Sequence, residues 1–254
     1  MTMLRMTNIT RRFGGTLALD RASLEVRAAE VHALVGENGS GKSTLMKIAA
    51  GLIRPDGGHM ELEGRPVVFR SPREAAEAGV AIVHQELNLV PAMSAAENLF
   101  LGQEPRTRLG LVNHSRMRRE AQRLFDELEV EIDPRVLVGA LPVATRQMVE
   151  IARALTRPMR LLILDEPTSA LGESEARVLF GVVRRLRERG AAVVYISHKM
   201  AELAALADRY TVLRDGHTVD TGVMSETTEQ TLVQSMVGRE LGDYYPERKS
   251  MSDP

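Results

Sequence analysis

The chain of 254 residues has no cysteine and no tryptophan, and only four lysines, Lys42, Lys47, Lys199 and Lys249, among its 33 basic residues. Without thiols, disulfide-stapled scaffolds and thiolate zinc sites are excluded. An excess of charge is missing too. The 34 acidic residues balance the basic ones to a net charge of −1, which argues against a globally basic surface for nucleic acid. Long apolar runs are also absent: Leu161–Leu164 and Ala191–Ile196 fall far short of the roughly 18 to 20 residues that a membrane-spanning helix needs. The segment Met1–Arg12 mixes Arg5, Arg11 and Arg12 with short apolar pieces and lacks the pattern of a signal peptide. A cytosolic protein is therefore expected, with any membrane role exercised through a partner. What is present is 44% hydrophobic residues with 20 Gly and 11 Pro, enough for one large α/β domain or two small ones.

Along the chain, short strands open the sequence around Gly14-Gly15, Ala22–Val26 alternates apolar and polar residues, and Val31–Val35 reads as a continuous apolar strand. The spacing of Leu45, Ile48 and Ala49 predicts a helix from Ser43 that Gly51 terminates. Pro55-Asp56-Gly57-Gly58 reads as a turn before a strand pair over Met60–Phe69, and Ser71-Pro72 starts a helix ending near Gly79. After a strand at Val80–His84 the character changes. Residues 87–158 read as an inserted helical subdomain, with a capping box at Ser94/Glu97, an amphipathic helix over Ser115–Leu128 and another over Thr145–Leu155. Strands at Leu161–Leu164 and Ala191–Ile196 flank a helix over Glu173–Arg189, a parallel crossover unit. Tyr210–Leu213 and Thr218–Val219 around Asp215-Gly216 form a hairpin signal, and Thr227–Val237 is a last helix. The expected organisation is a core of residues 1–86 and 159–222 within one domain of 1–238, followed by a polar tail or linker at 239–254.

Gly36-Glu-Asn-Gly-Ser-Gly-Lys42-Ser43 matches G-x-x-x-x-G-K-[ST] between an apolar strand and a helix, the context in which this pattern cradles phosphate. The glycines let backbone N–H groups wrap an anion and the helix dipole adds positive potential. Lys42 can bridge the β- and γ-phosphates and the Ser43 hydroxyl can ligate Mg²⁺. Downstream, Leu161–Leu164 ends in Asp165-Glu166. A carboxylate at the end of a parallel strand lies beside the phosphate loop of a neighbour, where Asp165 can hold Mg²⁺ through water and Glu166 can polarise an attacking water. The chemistry indicated is Mg²⁺-dependent attack of water on the γ-phosphate of a nucleotide.

With these motifs in order, the chain resembles the ATP-binding-cassette ATPases from about Thr7 to Gly238. The resemblance implies an α/β P-loop NTPase with a mixed or parallel core sheet, an N-terminal antiparallel β subdomain and an inserted α-helical subdomain. It also implies ATP as the nucleotide. The Walker A loop is Gly36–Thr44, so Gly36, Asn38, Gly39, Ser40, Gly41, Lys42, Ser43 and Thr44 are expected to bind nucleotide. By similarity Gln85 in Val83-His-Gln-Glu86 senses Mg²⁺ and signals to a transmembrane partner, His198 in Tyr195-Ile-Ser-His-Lys199 contacts the γ-phosphate, and Phe13 stacks on adenine. Pro167–Gly172 corresponds to the loop after the catalytic acid. The remaining histidines, His32, His59, His84, His114 and His217, form no ligand spacing.

A finer resemblance, carried by Phe69-Arg-Ser-Pro-Arg-Glu-Ala, Val83-His-Gln-Glu-Leu-Asn-Leu-Val-Pro, Glu97-Asn-Leu-Phe-Leu-Gly and Gln147-Met-Val-Glu-Ile-Ala-Arg-Ala-Leu155, is to importers of monosaccharides such as ribose, xylose and galactose, specifically to the first of two cassettes usually fused in one chain. Either the chain is a single-cassette subunit or it is one half whose sister is encoded separately or has been lost. The implied partners are an integral-membrane permease, a second cassette, identical or different, and indirectly a periplasmic sugar-binding protein, with the chain peripheral on the cytoplasmic face of the membrane. No nucleic acid is expected. The pattern departs at one place. The family signature Leu-Ser-Gly-Gly-Gln stands here as Leu141-Pro142-Val143-Ala144-Thr145. In the family this loop faces the nucleotide of the opposite cassette, and Pro142 removes a hydroxyl and an N–H; losing one such donor typically costs about 10²–10³ in rate. Gly172 stands where Asp is common. A nucleotide-binding regulator, or a soluble cassette ATPase with weak hydrolysis, is the alternative this change keeps open.

Overall fold

A computed structural model of the chain describes residues 1–84 and 88–238. Two sheets organise it. In the first, β1 (Thr2–Phe13) and β2 (Thr16–Arg27) form a hairpin, extended by β4 (Gly57–Leu62) and β5 (Arg65–Val67) into an antiparallel sheet of order β2-β1-β4-β5. These two opening strands are longer than the short pieces expected, because register shifts between Met6 and Arg12 let the hairpin bend without breaking its ladder. Gly57 and Gly58 lie within β4 and not in a turn. Gly58 has φ +88° and a Cβ there would meet the carbonyl oxygens of Asn8 and Thr7 at 2.5 and 2.6 Å, so the glycine serves the close approach of β1.

The second sheet has the order β10-β9-β3-β8-β7-β6. β3 (Val31–Val35), β6 (Val80–Val83), β7 (Leu161–Asp165), β8 (Ala192–Ile196) and β9 (Arg209–Arg214) are parallel neighbours, and β10 (His217–Val223) closes one edge antiparallel to β9. The mixed α/β sheet matches the expected fold class. Its inner strands read as continuous apolar runs because both faces are covered. Alternation divides them cleanly: Leu162, Leu164, Val193 and Tyr195 face a core shared with the helical segment, whereas Leu161, Ile163, Val194 and Ile196 face a core shared with the antiparallel sheet.

Eight α-helices cover the sheets among the described residues: α1 (Lys42–Ala49), α2 (Pro72–Glu77), α3 (Ala95–Phe100), α4 (His114–Glu127), α5 (Val143–Ala154), α6 (Glu173–Glu188), α7 (Met200–Leu206) and α8 (Glu229–Val237). The Ser94/Glu97 capping box is formed, Ser71 caps α2, and Gly51 at φ +69° follows the end of α1. Several starts differ from expectation. Asn113 caps α4 by accepting from the Arg116 N–H, so the helix begins at His114, one residue ahead of Ser115. Thr228 caps α8, so the helix begins at Glu229 and not at Thr227. α5 begins at Val143, two residues before Thr145, with Pro142 at its N-cap. The fixed φ of proline suits a helix entry, and Arg146 clamps the approach by donating to the carbonyls of Leu141 and Gly139 at 2.8 and 3.2 Å. α7 was not foreseen: only Leu203 and Leu206 supply its buried apolar stripe. No helix among the described residues is long and apolar enough to cross a membrane.

Candidate functional site

The loop between β3 and α1 is shaped by what its glycines must avoid. At Gly36, φ is +154° and a Cβ would sit 2.5 Å from Ser40 Oγ and collide with the carbonyl oxygen of Leu213 on β9. At Gly41, φ is +103° and a Cβ would lie 2.8 Å from the carbonyl oxygen of Ala18 on β2. Gly41 is the N-cap of α1, and Gly39 also takes positive φ, at +85°. Only glycine visits these conformations freely. The β9–β10 turn pins the loop from behind: the Gly216 N–H donates to Ser40 O at 3.1 Å and the Asp20 N–H to Gly216 O at 2.9 Å. The C-terminal hairpin thereby joins the rim of the site.

A cavity of about 300 Å³ opens over this loop, lined by Ala18, Asn38, Gly39, Gly41, Lys42, Ser43, Thr44, Asp165 and Glu166. The parallel register explains why residues more than 120 positions apart meet. β3 and β7 both flank β8, with Leu34 and Asp165 each paired to Ile196, so the C-terminal ends of β3 and β7 emerge side by side. Lys42 Nζ donates to the carbonyls of Gly36 at 2.7 Å and Glu37 at 2.9 Å, folded back on its own loop. Burial pushes its ammonium down from the usual lysine range, a shift that the charges of Glu166 and Asp165 oppose. Asp165 is pushed up, first by burial and then by the charge of Glu166, against the opposing influence of His84, Lys42 and Lys47. The site thus presents one cation and two carboxylates in a concave, partly desolvated setting.

Glu166 adopts the left-handed region at φ +47°, uncommon for a residue with a Cβ. Its N–H is held by Ile196 O at 3.0 Å, and its carboxylate Oε1 lies 3.5 Å from Nδ1 of His198, which follows β8 with a side chain that is 65% exposed. His198 is therefore brought to the acid from the neighbouring strand end. Asp165 and Ser43 face the same cavity with oxygen donors. That pair fits Mg²⁺, which takes one or two protein oxygens and completes its shell with phosphate and water.

Other expected residues lie elsewhere. Phe13 ends β1, 45% exposed, with the Arg11 guanidinium 4.9 Å from its ring centroid, and does not line the cavity. Gln85 falls outside the described residues. Pro142, Ala144 and Thr145 line a different groove of about 330 Å³ with Met148, Glu175 and Val178; Leu141 and Val143 flank it, and Gly172 is the N-cap of α6 beside it. The substituted signature segment thus belongs to a second face. Sequence reasoning missed His84, whose place at the end of β6, next to β7, puts it within electrostatic reach of Asp165. The in-register pairing of Val83 with Leu164 is the signal that would have found it, and it exists only once the strands are aligned. Ala18, contributed by β2, was likewise not foreseen.

The family model described as ABC transporter matches residues 19–169. A putative ribose/galactose/methyl galactoside import ATP-binding protein of Ralstonia nicotianae is 49% identical over 244 residues, covering 96% of this chain and 47% of that protein. A ribose import ATP-binding protein of Rubrobacter xylanophilus is 49% identical over 248 residues, covering 98% and 49%. The chain thus spans about half the length of the curated relatives it matches. Among solved structures, a nucleotide-free ATP-binding cassette from an ABC transporter superposes with a TM-score of 0.81 at 24% identity, over 97% of this chain and all of that one, which shows the fold. A dimeric post-hydrolysis cassette bound to ADP and Pi superposes with a TM-score of 0.74 at 25% identity over 87% and 99%. By its sequence match and its architecture, the chain belongs to the ABC transporter family.

Proposed function

We propose that the chain is an ATP-binding and hydrolysing cassette that energises the import of a monosaccharide through a membrane permease. The observation that carries this reading is the single cavity in which the phosphate loop, Lys42, Asp165 and Glu166 converge. Asn38, Gly39, Ser40, Gly41, Lys42, Ser43 and Thr44 hold the phosphates, and Gly36 permits the turn. An arriving phosphate draws Lys42 Nζ from the carbonyls of Gly36 and Glu37, exchanging neutral acceptors for charged ones. Ser43 and Asp165 are the residues to hold Mg²⁺, with Gln85 as a further ligand by family resemblance; the ion would neutralise charge on the phosphate oxygens. Glu166 orients and polarises the attacking water, and His198, beside it, donates to the γ-phosphate. Phe13 reaches adenine only from the tip of the β1–β2 hairpin.

The relatives named as ribose or galactoside import ATP-binding proteins support a monosaccharide as cargo. The working unit is a pair of cassettes on the cytoplasmic face of the membrane, docked to an integral-membrane permease that receives sugar from a periplasmic binding protein; nucleic acid has no part in it. Residues 1–238 form the cassette, with 87–158 as its helical subdomain; residues 239–254, expected from the sequence to be a tail or linker, lie outside the described residues. Pro142, with no N–H to offer, leaves the first turn of α5 short of a donor toward a nucleotide on the opposite cassette. Hydrolysis at high rate therefore depends on a partner with an intact Leu-Ser-Gly-Gly-Gln segment.

ATPase assays decide this. The chain alone is expected to hydrolyse slowly, and replacing Pro142→Ser, Val143→Gly, Ala144→Gly and Thr145→Gln together is expected to raise the rate by about 10²-fold, the worth of a restored transition-state donor. Vigorous, cooperative hydrolysis by the unaltered chain would refute the dependence on a partner, and a chain that binds no ATP would refute the reading as a whole.

A further inference from the structure

Beneath the candidate site lies a buried carboxylate that the chemistry above does not use. Glu202, in the first turn of α7, is 8% exposed, and its side chain meets four different partners. Thr168 Oγ1 is 2.7 Å from both carboxylate oxygens, Tyr195 OH and Ser197 Oγ each lie 3.0 Å from Oε2, and Lys199 Nζ lies 3.1 Å from Oε1. Lys199 Nζ also donates to the Thr168 carbonyl at 3.1 Å, and the Lys199 N–H to Ser197 Oγ at 3.1 Å. Burial alone would push this carboxyl up; the hydrogen bonds from Thr168, Lys199, Tyr195 and Ser197 outweigh it and hold the group below the usual carboxylate range.

Tyr195 belongs to β8 itself, and the other three partners fall on the two segments that leave β7 and β8. Thr168 stands two residues after Glu166, on the segment leaving β7. Ser197 and Lys199 bracket His198 on the segment leaving β8. Backbone bonds alone join those segments weakly: beyond the strand pairing, Glu166 N–H to Ile196 O is the bond that links them. Glu166 itself sits at a positive φ that its own side chain does not favour, so its position must be imposed from outside. We infer that Glu202 is a positioning residue: its buried carboxylate ties the loop that carries Glu166 to the loop that carries His198, fixing the relative placement of the two catalytic groups without touching nucleotide itself. Lys199, one of the four lysines, acts as the second strand of the same tie.

The inference rests on the proposed hydrolytic role of Glu166 and His198, and its test separates the two. Glu202→Gln keeps the shape but has one accepting oxygen where the carboxylate has two, leaving donors of Thr168, Ser197, Tyr195 or Lys199 unmatched. Amide hydrogen exchange in the whole chain, without nucleotide, is expected to quicken by about tenfold or more in both segments 166–171 and 197–199 together while β7 and β8 stay protected. Loosening of one segment alone, or of neither, would overturn the tie, whatever the enzyme does. In ATPase assays the same variant is expected to lose about tenfold in kcat with nucleotide affinity within about twofold of the parent, the pattern of a contact that acts only in the transition state. Placed in a His198→Ala background, Glu202→Gln is expected to cost less than about twofold, because its partner in geometry is gone; an equal loss in both backgrounds would mean a merely structural role and overturn the inference. If exchange shows the tie while the parent chain fails to bind ATP, the tie stands and the proposed function falls.

Discussion

Nδ1 of His198 lies 3.5 Å from Oε1 of Glu166, although 32 positions separate them in the chain, because β7 and β8 are adjacent parallel strands, Glu166 follows directly on the C-terminal end of β7 and His198 stands two residues beyond that of β8. A carboxylate that lines the cavity and an imidazole are thereby set side by side, each on a loop and each anchored by a strand.

Replacing Glu166→Gln keeps the side-chain shape and removes the base. Hydrolysis is expected to fall by about 10²–10⁴, the usual worth of a positioned general base, while nucleotide binding measured by fluorescence titration persists. Activity insensitive to the change would remove Glu166 from the mechanism.

The same variant reports on its neighbour. Burial, and then the charge of Glu166, hold Asp165 above the ordinary aspartate range. In Glu166→Gln the Asp165 carboxyl is expected to titrate at lower pH than in the parent, as followed by carboxyl NMR. Because the folded state raises the pKa of Asp165, its ionised form costs stability above that pKa, and the cost disappears as pH falls through it. Asp165→Asn is therefore expected to raise the melting temperature of the nucleotide-free chain at neutral pH, with an advantage that shrinks on acidification, while it weakens Mg²⁺-dependent nucleotide binding.

Gly41→Ala introduces a Cβ 2.8 Å from the Ala18 carbonyl at φ +103°. Denaturant unfolding is expected to show a loss of at least about 1–2 kcal/mol, the cost of left-handed backbone for an L-residue, and nucleotide binding should fall with it. Lys42→Met spares the backbone and is expected to lower nucleotide affinity about 10- to 100-fold by removing charge-assisted hydrogen bonds.

Ser94→Ala deletes the cap of α3 and is expected to cost about 1 kcal/mol in denaturant unfolding. The Ser94 N–H and hydroxyl donate to Glu97 Oε2 at 2.8 and 2.7 Å and hold the Glu97 carboxyl below its usual range. Glu97 therefore stabilises the fold above its unfolded pKa and loses that contribution as pH falls through its folded one. The difference between parent and Ser94→Ala should narrow in acid.

Much of the architecture was legible from local pattern. The apolar runs Val31–Val35, Leu161–Leu164 and Ala191–Ile196 announced strands of the core sheet, and Ser71, Ser94 and Gly51 marked helix ends through caps whose chemistry is local. Where tertiary contact overrides local signal, the reading failed. Gly57-Gly58 looks like a turn in isolation but meets β1 in a sheet. The entry of α5 is decided by Pro142 and by the reach of Arg146 to the carbonyls of Leu141 and Gly139, and the bends in β1 by its pairing with β2.

By itself the sequence determined the phosphate loop, since glycine spacing, Lys42 and Ser43 are a local arrangement of backbone and side chain, and it named Asp165, Glu166 and His198 as residues at strand ends. Only the tertiary structure decided which of these meet. Strand order brought Asp165 and Glu166 into the cavity over Lys42 and set His198 beside Glu166, while it left Phe13 exposed beneath Arg11 and put Pro142 and Thr145 on another groove. It also brought Thr168 against Glu202 and Lys199, because the segment after β7 and the start of α7 become neighbours only once the sheet sets β7 beside β8.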